Sequence, residues 1–149
     1  MKIIGPEYFK LKINNSKSFD LLPQMDIVYS TKKGVPKLYI VSHNKKPIYV
    51  GITTQPIRSR INYGFSAVGR GGYHGYKWRN NYKEVDLNIW IHQDGDNKED
   101  VEIIEAEVVY EIRNQFEQWP SQQTEIHFHQ SNKKHRDIAK KILSTGYVR

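Results

Sequence analysis

Two short apolar runs, KLYIVS at 37–42 and PIYVG at 47–51, constrain the fold most strongly. Both are rich in β-branched and aromatic residues, and the polar segment HNKK between them predicts a β-hairpin. MDIVYS at 25–30 has the same strand composition, and Gly34 and Pro36 mark a turn before the hairpin. Three consecutive strands with short connections predict an antiparallel meander.

A helix is predicted directly after this hairpin. Pro56 is suited to a first helical turn, where its missing N–H is not needed, and Thr53 or Thr54 could cap the helix. Ile57 and Ile61 are spaced to lie on one helical face, so we expect them to hold the helix against the sheet.

The remainder of the chain mixes strands and helices. The first twenty residues give no clear pattern. The Gly-rich, aromatic and basic segment 65–81 predicts a functional loop, or such a loop with a little helix. The other predicted elements are a half-buried alternating strand at 85–92, a long helix at 98–116, a strand at 124–129, and a helix at 131–146 that Ser131 caps and Gly146 ends.

This order of elements predicts an α+β fold, in which helices flank a small, mostly antiparallel central sheet. The length of 149 residues suits a single domain, which we expect to span residues 1–149. No linker or internal repeat divides the sequence.

The charge balance favours a phosphate-rich partner, since 23 Lys and Arg stand against 16 Asp and Glu. The absence of cysteine excludes disulfides and thiolate metal sites. No apolar run approaches the length of a membrane span, and the N-terminus lacks the apolar core of a signal peptide. The expectation is a soluble, cytoplasmic protein with no membrane partner.

One carboxylate of the long helix falls on its apolar face. A helical wheel places Glu105 inside an apolar stripe and leaves Glu102, Glu107 and Glu111 outside its centre. The stripe consists of Val101, Ile104, Val108, Val109, Ile112 and Phe116. A buried carboxylate needs a compensating cation. Three interpretations follow: a structural ion pair with Arg58 or Arg60, a helix rotated so that Glu105 lies at a solvent-exposed edge, or a ligand for a hard metal ion such as Mg²⁺.

The set of tyrosines, arginines and inward glutamate resembles the GIY-YIG nuclease domain between about residues 37 and 123. Lys37-Leu38-Tyr39 keeps the tyrosine of the first half-motif but lacks its glycine and isoleucine. Tyr49-Val50-Gly51 matches the second half-motif better. GGYHGYKW and WPSQQTEIHFH further resemble stand-alone, little-characterised bacterial members. The resemblance implies that the N-terminal region and the last helix are additions to a nuclease core.

The resemblance also implies a set of site residues. Family members carry an essential arginine on the helix after the hairpin, and Arg60 is favoured over Arg58 because Ile61 follows it. Glu105 matches the metal-binding glutamate. Gln123 stands three positions after Pro120, where many members have an asparagine.

In this picture the protein hydrolyses phosphodiester bonds with one Mg²⁺ or Mn²⁺ ion held by Glu105. Arg60 stabilises the phosphate, and Tyr39, with Tyr49 as its partner, orients or deprotonates the attacking water. A phenol with a pKa near ~10 is a poor base at neutral pH. Nearby positive charge would therefore have to stabilise its phenolate, or it would only position the water.

The Gly-rich loop adds candidate contacts. His74 has two interpretations, a proton-transfer residue or an exposed loop histidine. The basic residues could grip a nucleic-acid backbone while neighbouring aromatic rings stack on bases, or the rings could fill a small core and leave the charges solvated. The basic residues are Arg58, Arg70, Lys77, Arg79 and Lys83, and the aromatic ones are Tyr73, Tyr76 and Trp78.

Three functions remain open at this stage. The first is a metal-dependent endonuclease that acts on nucleic acid, with DNA expected rather than RNA. The second is a non-catalytic nucleic-acid-binding module on the same scaffold, which the altered first half-motif favours. The third is a basic interaction protein. His127 and His129 share one strand face, a spacing that can bind zinc, although no third ligand is evident. The sequence does not indicate an oligomeric state.

Overall fold

The computed structural model describes residues 2–22, 32–93, 97–123 and 130–146. These residues form an α+β fold with a five-stranded antiparallel sheet and three helices. The strands are β1 (Lys2–Asn15), β2 (Ser18–Leu22), β3 (Lys37–His43), β4 (Lys46–Thr53) and β5 (Glu84–Gln93). The helices are α1 (Ile57–Ser66), α2 (Lys98–Phe116) and α3 (Lys133–Gly146), and short 3₁₀ turns cover Arg70–Gly72 and Lys77–Asn80.

The strands lie in the order β2-β1-β5-β3-β4. The predicted hairpin is confirmed, with Asn44 and Lys45 in left-handed conformations at its two-residue turn (φ 51° and 62°). The strands predicted at 25–30 and 124–129 lie outside the described residues. In the described sheet the neighbours of β3 are β4 and β5.

Strand β5 is a central strand, and the prediction that it is half-buried is wrong. Both of its faces are covered, with Leu87 and Ile89 on one side and Trp90 on the other. The alternation in the sequence separates two cores instead of a core from solvent. Strand β1, which the sequence pattern did not reveal, pairs with β5 on one side and β2 on the other.

The two faces of the sheet carry different helices. Helix α1 and the 70–80 loop pack on the face that presents Tyr39, Val41 and Leu87. Helices α2 and α3 pack on the opposite face, against Leu38 and Trp90. The helices that carry the predicted site residues, α1 and α2, therefore lie on opposite faces of the sheet.

The predicted helix boundaries hold, but the predicted caps do not. Pro56 itself is the N-cap residue of α1, and Thr53 Oγ1 accepts from the backbone N–H of Gln55 instead (3.1 Å). Helix α3 is capped by Asn132, not Ser131, since Asn132 Oδ1 accepts from the N–H of His135 (3.2 Å). An amide side chain next to the first turn displaces the predicted cap.

Helix α2 spans the predicted residues, and Asn97 Oδ1 caps it by accepting from the N–H of Asp100 (2.8 Å). The wheel placed Glu111 outside the centre of the apolar stripe, but the structure leaves it only 9% exposed. Helix α2 packs against α3 as well as against the sheet, so more than one of its faces is covered. Glu105 is half-buried.

Lys37, the departure from the first half-motif, is a structural lysine at the start of β3. Its side chain is buried, and Nζ donates to the carbonyl oxygens of Lys32 (2.6 Å), Val35 (2.8 Å) and Gln55 (2.9 Å). Burial lowers the pKa of Lys37 to about 8, while the charge of Glu7 opposes that shift. The lysine thus ties the turn before β3 to the start of α1.

Across the described ranges, none of the helices is both long enough and apolar enough to cross a bilayer.

Candidate functional site

Four tyrosines from three parts of the fold surround Arg60, and we call them the tyrosine cluster. They are Tyr39 on β3, Tyr49 on β4, and Tyr73 and Tyr76 in the loop before β5. The hydroxyls of Tyr39 and Tyr76 lie 2.7 Å apart. The ring centroid of Tyr49 lies 6.1 Å from that of Tyr39 and 5.4 Å from that of Tyr76. Tyr39 and Tyr76 are buried, whereas Tyr49, Tyr73 and Arg60 are half-buried.

Two glycines make room for the buried rings. A Cβ on Gly51 would collide with the Tyr39 ring and hydroxyl from the paired strand, since the two residues are register partners. A Cβ on Gly64 of α1 would collide with the Tyr76 ring. The packing of the cluster therefore depends on the absence of a side chain at these two glycines as well as on the phenols themselves.

Replacing Gly64 with alanine is expected to lower the free energy of unfolding by about 2 kcal/mol, because the overpacking cost of up to ~3 kcal/mol exceeds the helix-propensity gain of ~1 kcal/mol. Tyr76 is 3% exposed and cannot swing into solvent to relieve the clash. Urea denaturation measures the change. Ser59→Ala, on the exposed side of the same helix, is the control. A stabilised Gly64→Ala variant would contradict this packing.

Arg60 is the arginine that enters the cluster. Its Nη1 donates to the Tyr73 hydroxyl (3.0 Å), and its guanidinium carbon lies 4.9 Å from the Tyr76 ring centroid and 5.8 Å from those of Tyr63 and Tyr73. Burial alone lowers the pKa of Arg60, but the surrounding phenols outweigh it and raise the pKa above its ordinary value. The cation is therefore permanently charged and oriented.

Arg58 lies elsewhere on α1. It is exposed and lines a cleft of about 410 Å³ with Lys17 and Phe19 of the N-terminal hairpin. The Phe19 ring packs on Phe65 of α1 (4.8 Å between centroids), which brings the hairpin to the helix. Of the two arginines that the sequence offered, only Arg60 contacts the tyrosine cluster within the described residues.

Three of the cluster phenols, Tyr39, Tyr49 and Tyr76, are neutral at physiological pH. Burial raises the pKa of Tyr39, Tyr49 and Tyr76, and the charge of Arg60 only partly opposes this. A buried hydroxyl bonded to another phenol is poorly placed to reach water, so the burial of Tyr39 argues against a general base there. Tyr49 and Tyr73 are the cluster phenols with exposed surface.

Glu105 lies on α2, which packs on the other face of the sheet. Besides burial and Tyr39, the charges of Arg60 and Glu105 act on Tyr49, where Arg60 lowers its pKa and Glu105 raises it. Tyr49 thus lies within electrostatic reach of one cation and one anion, on the outermost strand of the described sheet.

Gln123 lies beside β4, and its side-chain amide binds the backbone of Val50, the residue after Tyr49. Its Oε1 accepts from the N–H of Val50 (2.8 Å), and its Nε2 donates to the carbonyl of Val50 (3.1 Å). The N–H of Gln122 donates to the carbonyl of Ile48 (2.8 Å), so this segment covers the free edge of β4. A role for Gln123 in closing the site stays a prediction.

The loop candidates separate into buried and exposed groups. Tyr76 and Trp78 belong to the core and stack on each other, so the core-filling interpretation of their rings is confirmed. The guanidinium of Arg79 donates to the carbonyls of Gly64 and Ala67 at the end of α1. Its predicted nucleic-acid contact would compete with this role. The exposed candidates are Arg70, His74, Lys77 and Lys83.

Comparisons with known proteins add no family assignment. Family models, curated proteins and solved structures all give no match to this chain. The interpretation of the site therefore rests on its residues and their geometry.

A single divalent ion fits the donor set better than a preformed cage. No group of three or more His, Cys, Asp or Glu side chains with metal-binding geometry occurs among residues 2–22, 32–93, 97–123 and 130–146. Mg²⁺ is commonly held by one or two carboxylates together with waters and substrate oxygens, and a site with Glu105 as its carboxylate would match that pattern. His127 and His129 lie in the part that is not described.

Sequence reasoning missed two members of this region. Tyr73 was considered only for base stacking, yet its hydroxyl is the hydrogen-bond partner of Arg60. Tyr63 was not considered, yet its ring stacks on Tyr73 with 4.9 Å between centroids and 9° between planes. The spacing of Tyr63 three positions after Arg60 on a helix could have revealed it, because such residues are neighbours on the surface.

Proposed function

We propose that the protein is a metal-dependent endonuclease that hydrolyses phosphodiester bonds in DNA, on a GIY-YIG-like scaffold. The fixed position of Arg60 among the phenols carries the proposal, since its Nη1 donates to Tyr73 and its guanidinium lies 4.9 Å from the Tyr76 ring centroid. The charge of Glu105, on α2, acts on Tyr49 in the same cluster. A cation and a carboxylate at one half-buried phenol suit a phosphate whose charge the arginine balances and whose metal the carboxylate holds. The net charge of +7 favours the approach of a polyanion.

Arg60 would bind the scissile phosphate. Its planar fork can donate two parallel hydrogen bonds to phosphate oxygens. A further N–H on Nη1 donates to the Tyr73 hydroxyl, which orients the guanidinium. The rings of Tyr63, Tyr73 and Tyr76 restrict the guanidinium, so little side-chain entropy is lost when phosphate binds.

The phenols would orient the reacting groups as neutral hydrogen-bond donors. Because its pKa is raised, Tyr49 keeps its proton at neutral pH and can donate to a phosphate oxygen or hold the attacking water. Tyr39 and Tyr76 act through their packing, as positioning residues. When bound at Glu105, Mg²⁺ or Mn²⁺ supplies charge stabilisation at the phosphate and lowers the pKa of a coordinated water.

The test is cleavage of plasmid DNA with Mg²⁺, Mn²⁺ or a chelator, with single-stranded DNA and RNA as further substrates. Cutting should require the metal, and Glu105→Gln should slow it by at least ~10²-fold, because a metal contributes several kcal/mol to the transition state. Glu107→Gln, on the same helix and also half-buried, is the control and should retain activity. Metal-independent cutting, or full activity of Glu105→Gln, would contradict the proposal.

A second function, a non-catalytic nucleic-acid-binding module, is favoured by the buried Tyr39 hydroxyl. A phenol bonded to Tyr76 and closed off from solvent serves packing better than chemistry. This alternative predicts binding that weakens steeply with salt, because phosphate contacts release counterions. Salt-sensitive binding without cutting under any metal condition would support it over the enzyme.

A further inference from the structure

Two strongly exposed apolar side chains meet in one small cavity beside Arg60. Among the described residues, the exposed large apolar side chains include Tyr63 (56%) and Val68 (63%) as the two most exposed. Both line a cavity of about 170 Å³, with Ala67, Arg70 and Tyr73. Scattered exposed apolar residues need no explanation, but two that share a cavity beside a candidate site indicate a ligand.

The shape and the charge of this cavity restrict its ligand. Its volume is below the ~300–1,000 Å³ of sites for drug-sized ligands, so it suits one planar ring system rather than a chain segment. The stacked rings of Tyr63 and Tyr73 form one wall, and Val68 adds apolar surface. Arg70 lines the cavity and Arg60 contacts both tyrosine rings, so positive charge flanks an aromatic surface.

We propose that this cavity binds an unpaired nucleobase of single-stranded DNA, next to the phosphate that Arg60 holds. The inference rests on the proposed function, because it takes Arg60 as the phosphate ligand. Aromatic rings that stack on bases beside a positively charged backbone groove are the general solution for single strands. In a duplex the bases are paired and stacked on each other, so the cavity favours single-stranded or locally unpaired DNA.

Tyr63 is the residue to test, since its exposed ring contributes little to the core. Binding of a fluorescently labelled single-stranded oligonucleotide is measured by anisotropy, in chelator so that no cutting occurs. Tyr63→Ala should weaken binding by about 5- to 150-fold, the fold-change that corresponds to ~1–3 kcal/mol of stacking per base. Tyr63→Phe should bind as the unchanged protein does. Tyr110→Ala, at a tyrosine on α2 of similar exposure (48% against 56%), is the matched control.

A second readout reports the base itself. With 2-aminopurine in the oligonucleotide, the unchanged protein should alter its fluorescence and Tyr63→Ala should not. Duplex DNA with the same base should bind more weakly, and Tyr63→Ala should affect its binding less. Equal single-strand affinity of Tyr63→Ala and the unchanged protein would overturn the inference while leaving the nuclease proposal intact. Failure to bind any nucleic acid would overturn both.

Discussion

Replacing Arg60 with lysine is expected to slow DNA cleavage by about 10³-fold, at the low end of the effect of arginines that stabilise a transferring phosphoryl group. Lysine keeps the positive charge but loses the planar fork, and it has no second arm to bind Tyr73 and two phosphate oxygens together. Because the charge survives, affinity for DNA should fall much less than the cleavage rate. Single-turnover cleavage and anisotropy separate the two quantities.

Arg58→Lys provides the matched control, because Arg58 is on the same helix but exposed and outside the tyrosine cluster. Its cleavage rate should change by no more than a few-fold. If Arg60→Lys, folded by circular dichroism, cleaved DNA nearly as fast as the unchanged protein, Arg60 would not be the phosphate ligand. An equal loss of rate in both variants would show that Arg60 has no role that the exposed Arg58 lacks, and would also contradict a specific clamp.

Raising the pH above about 10 is expected to destabilise the protein steeply through the tyrosine cluster. The pKa values of Tyr39, Tyr49 and Tyr76 are raised in the fold, whereas unfolded tyrosines ionise near ~10. The unfolded chain then releases protons that the folded chain keeps, so the stability present below pH ~10 is lost as the pH rises. Each proton contributes ~1.4 kcal/mol per pH unit, which gives roughly 4 kcal/mol per unit for three phenols.

The free energy of unfolding in urea, measured at several pH values above neutrality, tests this slope, and phenolate absorbance should rise abruptly when the protein unfolds. Tyr49→Phe should reduce the slope by ~1.4 kcal/mol per pH unit, the contribution of one proton. Tyr110→Phe, at an exposed position of α2, is the control. Lys37 acts in the opposite sense, since its lowered pKa of about 8 makes stability rise between that pH and its ordinary value. A gradual titration of all the tyrosines in the folded protein would contradict the burial of the cluster.

Local patterns in the sequence predicted the parts of the fold that depend on local physics. The apolar stripe of 98–116 predicted α2 with both of its ends, and the apolar runs around Tyr39 and Tyr49 predicted β3 and β4. The N-terminal hairpin was missed because its burial alternates weakly and its stability comes from pairing with β5, far along the chain.

The interior of the candidate site could not be predicted in the same way. The bond between Tyr39 and Tyr76 joins residues 37 positions apart, and no periodicity connects them. The sequence predicted that the guanidinium of Arg79 contacts nucleic acid, but in the structure it donates hydrogen bonds to two carbonyls at the end of α1. Such contacts depend on how the loop crosses the sheet, which tertiary packing decides.

Gly51 and Gly64 also restrict how the sequence of such a protein can evolve. Because a side chain at either position would occupy the space of a phenol, replacing Gly51 costs least together with Tyr39, and replacing Gly64 costs least together with Tyr76. In a comparison of diverged descendants of this chain, positions 39 and 51 should vary as a pair, and so should 64 and 76. The phenols and the glycines opposite them are then inherited as units, whichever reaction the site performs.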